Sequence, residues 1–210
     1  MAASRIGLMV ASVLLIAAAQ AADMQGHEFT DVNLSDAVFT RCNFDGAKFI
    51  DCDLREALLE SCEISTGLSL KSWKLDRSQW YDMTLSRGTF ERGKIEDMTW
   101  KYTRIEDTAF ESCEISDIRL YRCDADEVEI EYGSLTDLDI DSASLRSGRW
   151  TNADLSYSAF QGCEFEDSSF YRGSFEDARF RYVSFRDVVL EDCDISGLVI
   201  NGVRIDELID

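Results

Sequence analysis

The chain has 210 residues, 45% of them hydrophobic and none of them proline, with a formal net charge of −20 and a pI near 4.3. That length suits one domain with a sizeable core, and the apolar share excludes wholesale disorder. The acidic balance repels nucleic acid and anionic lipid, so direct nucleic-acid binding is not expected.

Residues 1–5 carry a single positive charge, and 6–19 are apolar apart from Gly7 and Ser12. Ala19-Gln20-Ala21 then gives a small–x–small step. This is the layout of a secretory signal peptide over residues 1–21. The apolar run falls short of the ~20 residues that span a bilayer comfortably. An uncleaved anchor or a buried N-terminal helix is the other reading. Cleavage removes only one charged residue, Arg5, and takes the charge from −20 to −21. The product is then a periplasmic or secreted chain with no membrane contact. Residues 22–28 are expected to form an N-terminal cap.

From Phe29 every fifth residue is apolar: Phe29, Leu34, Phe39, Phe44, Phe49, Leu54, Leu59 and Ile64. One extra residue, within 65–69, shifts the frame. The count resumes at Leu70 and runs 28 for 28 to Ile205, through Trp80, Phe90, Trp100, Phe110, Ala125, Leu135, Trp150 and an unbroken phenylalanine series from Phe160 to Phe185. A period of five fits neither the ~100° step of a helix nor the alternation of a flat strand. It fits a chain that turns a corner every five residues, so that four sides close one coil and every marked side chain points inward. About nine coils at the ~4.8 Å spacing of paired strands make a rod roughly 43 Å long. Residues 206–210 remain as a C-terminal tail.

Two residues before each centre the side chain is mostly small, as at Ala37, Cys42, Ala57, Gly93, Cys113, Gly148 and Ser168. A narrow shaft holding one large side chain per side has room only for a small one beside it. Leu68, Trp73, Met83, Met98, Ile118 and Leu138 break this rule and predict a wider shaft in the middle. Trp73 is expected to face Gly93 one coil on. Phe160 with Phe180, Phe165 with Phe185 and Trp80 with Trp100 are expected to stack. With the shaft filled, no cavity is expected.

Segments such as Val32-Asn33-Leu34, Cys163-Glu164-Phe165 and Asn152-Ala153-Asp154-Leu155-Ser156 resemble the pentapeptide-repeat family, whose pattern is small–Asp/Asn–Leu/Phe–x–x. The resemblance covers residues 29–205. It implies an all-β fold, a right-handed quadrilateral β-helix, and it implies a DNA-mimicking inhibitor or protector of a type II topoisomerase (DNA gyrase) as an alternative role. That role requires a chain retained in the cytoplasm. A long C-terminal helix, which some relatives use to dimerise, is missing, so monomer and end-to-end dimer both stay open.

All seven cysteines stand at the small inward position. They form no CxxC pair. Cys42 and Cys62, one coil apart on one side, could be bridged; the favoured reading is cysteine as a small buried hydrophobe. His27 is the sole histidine and lies outside the regular repeats, so no Ser-His-Asp or Cys-His set can be assembled without it. Asp126-Glu127 and the alternating Asp137, Asp139 and Asp141 read as a solvated face rather than a calcium site. No enzyme activity, cofactor or metal is expected. Residues 71–104 hold eight Lys/Arg against five Asp/Glu, whereas 105–144 hold two against thirteen. Lys71, Lys74, Arg77, Arg87, Arg92, Lys94, Lys101 and Arg104 therefore form a basic band, readable as a docking surface for a protein partner or as ordinary solvation of a rod. The function expected is that of an exported, non-enzymatic interaction or scaffold rod.

Overall fold

The computed structural model describes residues 18–65 and 67–208. Residues 1–17, on which most of the expected signal peptide falls, lie outside the described residues. The described chain coils into a four-sided β-solenoid of about nine coils. Each face takes its name from its centre in one middle coil: Trp100, Ile105, Phe110 and Ile115. The Trp100 face is an 11-stranded sheet that starts at Ala18–Gln20, and the Phe110 face has nine strands from Glu28–Thr30 to Val189–Glu191. The other two faces hold four strands each in the middle coils and continue towards both ends as single bridges, such as Asn43↔Glu63 and Asp154↔Ser174. Leu70 pairs with Phe90 twenty residues on, but Phe49 pairs with Leu70, twenty-one on. The extra residue thus falls in the expected 65–69 step, where Gly67 has φ +109°.

Each corner is turned by a residue in the left-handed region, two places after the centre: Asp31, Asp36, Ser72, Arg92, Ser112 and Asn152 have φ between 50° and 61°. That conformation costs an L-residue on the order of 1 kcal/mol. It aims the corner N–H at the neighbouring coil, as in Asp31 N–H to Ile50 O (3.0 Å) and Ser112 N–H to Glu131 O (2.9 Å). On the Ile115 face, Asn33, Asp53, Asp154 and Asp194 each accept the N–H two residues on, at 2.9 to 3.1 Å. These side chains bend the end coils into turns. Lys74, Lys94 and Glu114 have no such reach, and there the same face runs as strand.

The five-residue centres fill the shaft. Phe160 stacks on Phe180 at 4.5 Å, Phe165 on Phe185 at 5.7 Å and Trp80 on Trp100 at 5.3 Å. The small inward residues have a second duty that the sequence did not reveal. Ser168 Oγ donates to Leu145 O (2.8 Å) and Cys113 Sγ to Phe90 O (3.3 Å), in each case the carbonyl of a large inward residue 23 positions back. Cys42 and Cys62, the one pair that could be bridged, are not joined, and all seven cysteines are free. Cys62 Sγ accepts from Cys42 N–H (3.3 Å) and donates to Phe39 O (3.4 Å), so the thiol is held as a hydrogen-bonding plug. Burial pushes the Cys62 and Cys163 thiols up to about 11, which keeps them protonated at neutral pH.

Three features correct the sequence reading. Residues 22–28 are not a separate cap: the coil already includes Ala18–Gln20, with Ala19 and Met24 carrying the frame back, and Asn43 N–H donates to Ala22 O (3.0 Å). Cleavage after Ala21 would remove the Ala18–Gln20 strand and leave Val38–Thr40 as the edge of its sheet. At the other end the parallel coil stops at Ile200, not Ile205. Asn201-Gly202, both with positive φ, reverse the chain so that Val203–Arg204 pairs antiparallel with Val199–Ile200. Asp206 closes this end by accepting Gly197 N–H (2.8 Å) and pairing with Arg204 (3.0 Å). The Arg204 bond, with the Gly197 N–H, holds the Asp206 carboxyl down to about 2.

The shaft is also not full. An apolar void of about 70 Å³ interrupts it between Ile95 and Trp150. Ile118, Val128 and Leu138, large residues at the small position, spread the faces there, and Ala125 stands where other centres are large.

Candidate functional site

The eight cations of the expected band do not share one surface. Arg77 turns the corner between the Ile115 and Trp100 faces and pairs with Glu56 (2.7 Å). Arg87 sits at the opposite corner and donates to Ser65 O (3.2 Å), pinning the inserted residue's loop. Lys101 lies over the Tyr81 ring (5.8 Å) on the Trp100 face, and Arg104 pairs with Glu106 (3.6 Å) on the Ile105 face. The reason is the coil itself: residues five apart point in different directions, and only residues about twenty apart share a face.

Lys71, Lys74, Arg92 and Lys94 do converge, at the corner between the Phe110 and Ile115 faces. A groove of about 360 Å³ opens there, lined by Ser72, Trp73, Lys74, Arg92, Gly93, Lys94, Ser112 and Glu114. Lys71 ends the strand that leads into it. Trp73 occupies the small inward position and is 1% exposed, with its ring edge-on to Phe90 at 5.4 Å. It fits because the next coil has Gly93, where a Cβ would lie 2.0 Å from Trp73 Cε2. The expected pairing of Trp73 with Gly93 is therefore observed.

Around the groove the charges are only partly balanced. Lys74 and Lys94 face one another across paired strands, an arrangement of like charges that destabilises a sheet. Lys94 bonds Glu96 (2.8 Å), and that hydrogen bond raises its pKa above the ordinary lysine value. Lys71 and Arg92 both approach Glu91, at 3.6 and 4.0 Å. Exposed pairs of this kind contribute little, about 0–1 kcal/mol, and exchange readily for an incoming carboxylate. The arrangement can hold an anion; among the described residues no group of three or more His, Cys, Asp or Glu side chains is placed to hold a metal.

A second cluster was missed in the sequence. Tyr81, Lys101 and Tyr121 form one column on the Trp100 face, with Tyr102 and Arg122 on the adjoining corner. Tyr102 is 54% exposed and meets Tyr121 edge-on at 6.0 Å, while Arg122 lies over the Tyr121 ring at 5.1 Å. The twenty-residue spacing of Tyr81, Lys101 and Tyr121 was the available signal, once side counts are folded into coils.

The square coil, the inward centre every five residues and the small partner two before it define a repeat solenoid. A family model described as a pentapeptide repeat region matches residues 20–100. The register established by Leu70 then runs on unchanged to Ile200, so the repeat continues past the matched residues, and the chain is similar to the pentapeptide-repeat family. Among solved structures it is similar to HetL, a pentapeptide repeat protein involved in heterocyst differentiation regulation from the cyanobacterium Nostoc sp. strain PCC 7120. That match has 16% identity over 90% of this chain and 89% of HetL, with a TM-score of 0.41. It is also similar to QnrB1, a plasmid-mediated fluoroquinolone resistance protein, with 14% identity over 93% of this chain and 96% of that one and a TM-score of 0.45. A third likeness is to Rfr23 from the cyanobacterium Cyanothece 51142, at 14% identity over 43% of this chain and 63% of that one, with a TM-score of 0.41. No curated protein matches the sequence.

Proposed function

We propose that this protein is an exported, non-enzymatic interaction rod that holds an acidic segment of a partner protein in the Lys71–Lys74–Arg92–Lys94 groove. The observation that carries this reading is the convergence of three cations, Lys74, Arg92 and Lys94, on one groove, with Lys71 at the end of the strand leading into it, in a chain with net charge −20. The Lys74–Lys94 repulsion supports it, because a bound carboxylate would relieve that repulsion locally, against the acidic field of the rest of the rod.

A deca-glutamate peptide is the probe. At physiological salt, where charges beyond about 8 Å are screened, it should bind, and combined Lys74→Glu, Arg92→Glu and Lys94→Glu should weaken binding at least about tenfold, as expected when close charge pairs become repulsive. Reversal of Arg77, on a different corner, should leave binding unchanged. Equal affinity in the triple variant would remove the groove from consideration. Export is tested by fractionation with N-terminal sequencing. A mature chain starting at Ala22 outside the cytoplasm is expected, and an intact Met1 start in the cytoplasm would overturn it.

A further inference from the structure

We propose that the void in the middle of the shaft is a binding site for a small apolar molecule of about the size of xenon or dioxygen. Its walls are apolar side chains only, among them Trp100, Phe110, Leu145 and Trp150. Buried water needs two to four polar partners, and an apolar cavity that lacks them stays dry. The one indole N–H in this wall without a partner, Trp150 Nε1, lies against Gly148, where a Cβ would be 2.5 Å from it, and the surface of the void itself is apolar throughout. A dry void leaves its lining atoms without dispersion partners on one side, and a polarisable guest restores them. An engineered cavity of about 150 Å³ takes benzene or xenon. At about 70 Å³ this one is too small for a ring and large enough for a single compact guest.

The site has a local cause and a thin wall. Ala125 replaces a large centre among the large inward residues Ile118, Val128 and Leu138, and leaves the gap unfilled. Leu120, the neighbouring centre, is only half-buried, whereas Ile115 and Ala125 on either side are 7% and 6% exposed. Breathing of the wall at Leu120 gives the guest its way in.

Xenon is the probe. Crystals of the protein pressurised with xenon should show one site beside the Ala125 methyl group, and the xenon NMR shift in solution should move with protein concentration. Ala125→Leu fills the void and should abolish both signals while the circular dichroism stays that of a β-solenoid. Should that variant fail to fold, Ala125→Val, which fills less, should lower xenon occupancy several-fold. No xenon at this position in the wild type, ordered water there instead, or an undiminished signal in the filled variant each overturns the proposal.

Discussion

Phe165→Asp should unfold the C-terminal coils while leaving the middle of the rod intact. Phe165 is 1% exposed and lies at the centre of an aromatic cluster, with Phe160 at 5.3 Å, Phe180 at 5.8 Å, Phe170 at 5.9 Å and Phe185 stacked at 5.7 Å. Removing a buried phenylalanine side chain costs about 3–5 kcal/mol through lost transfer energy and the cavity left behind. A carboxyl group in the same place has no partner and adds the cost of burying it, so the total exceeds about 5 kcal/mol. In a solenoid each coil leans only on its neighbours, so the damage is expected to stay local. Hydrogen exchange should show amides of coils around Phe160 to Ile200 losing protection, while those around Trp80 and Trp100 keep theirs. Glu164→Ala, one residue away and solvent-exposed, should shift stability by no more than about 0.5 kcal/mol. A urea midpoint unchanged by Phe165→Asp would mean that this frame does not line the shaft.

Gly93→Ala is the second large effect, and it depends on a residue twenty positions away. The added methyl would lie 2.0, 2.3 and 2.5 Å from Trp73 Cε2, Cζ2 and Cδ2. The ring cannot swing aside freely, because Phe90 packs edge-on against it within the shaft. Overpacking of this kind costs about 1–3 kcal/mol. Trp73→Ala removes the obstacle at its own cost of about 3–5 kcal/mol. In that background Gly93→Ala should cost almost nothing, giving a coupling of about 1–3 kcal/mol in a double-mutant cycle. Urea unfolding of the four proteins measures it. An equal penalty in both backgrounds would show that the glycine is needed for its backbone rather than for the indole. The pair also shapes the basic groove, so Gly93→Ala should weaken the acidic peptide while sparing every cation.

Much of the molecule was legible because its period is local. Phe29 to Ile64 and Leu70 to Phe180 could be assigned inward one by one, whereas Leu190 in the last coil is exposed; a single inserted residue between Ile64 and Leu70 was enough to locate the register change. The aromatic stacks followed from counting by twenty. The basic groove was half legible: the eight cations were visible as a run, but the run winds around all four sides, and only three of them line the groove. The tyrosine column on the Trp100 face needed the same folding of the count and was missed.

By itself the sequence determined the coil: a large apolar side chain every fifth residue with a small one two before it leaves a square β-helix as the way to bury both. The tertiary structure decided that the coil extends back past Phe29 and where it ends, because weak centres such as Ala19 and Met24 join it through pairing with the next coil, and because the Asn201-Gly202 reversal is set by the edge it folds back on. It also decided that the shaft is hollow beside Ala125. Free space is a sum over four facing sides in several successive coils, and no window of five residues contains that sum.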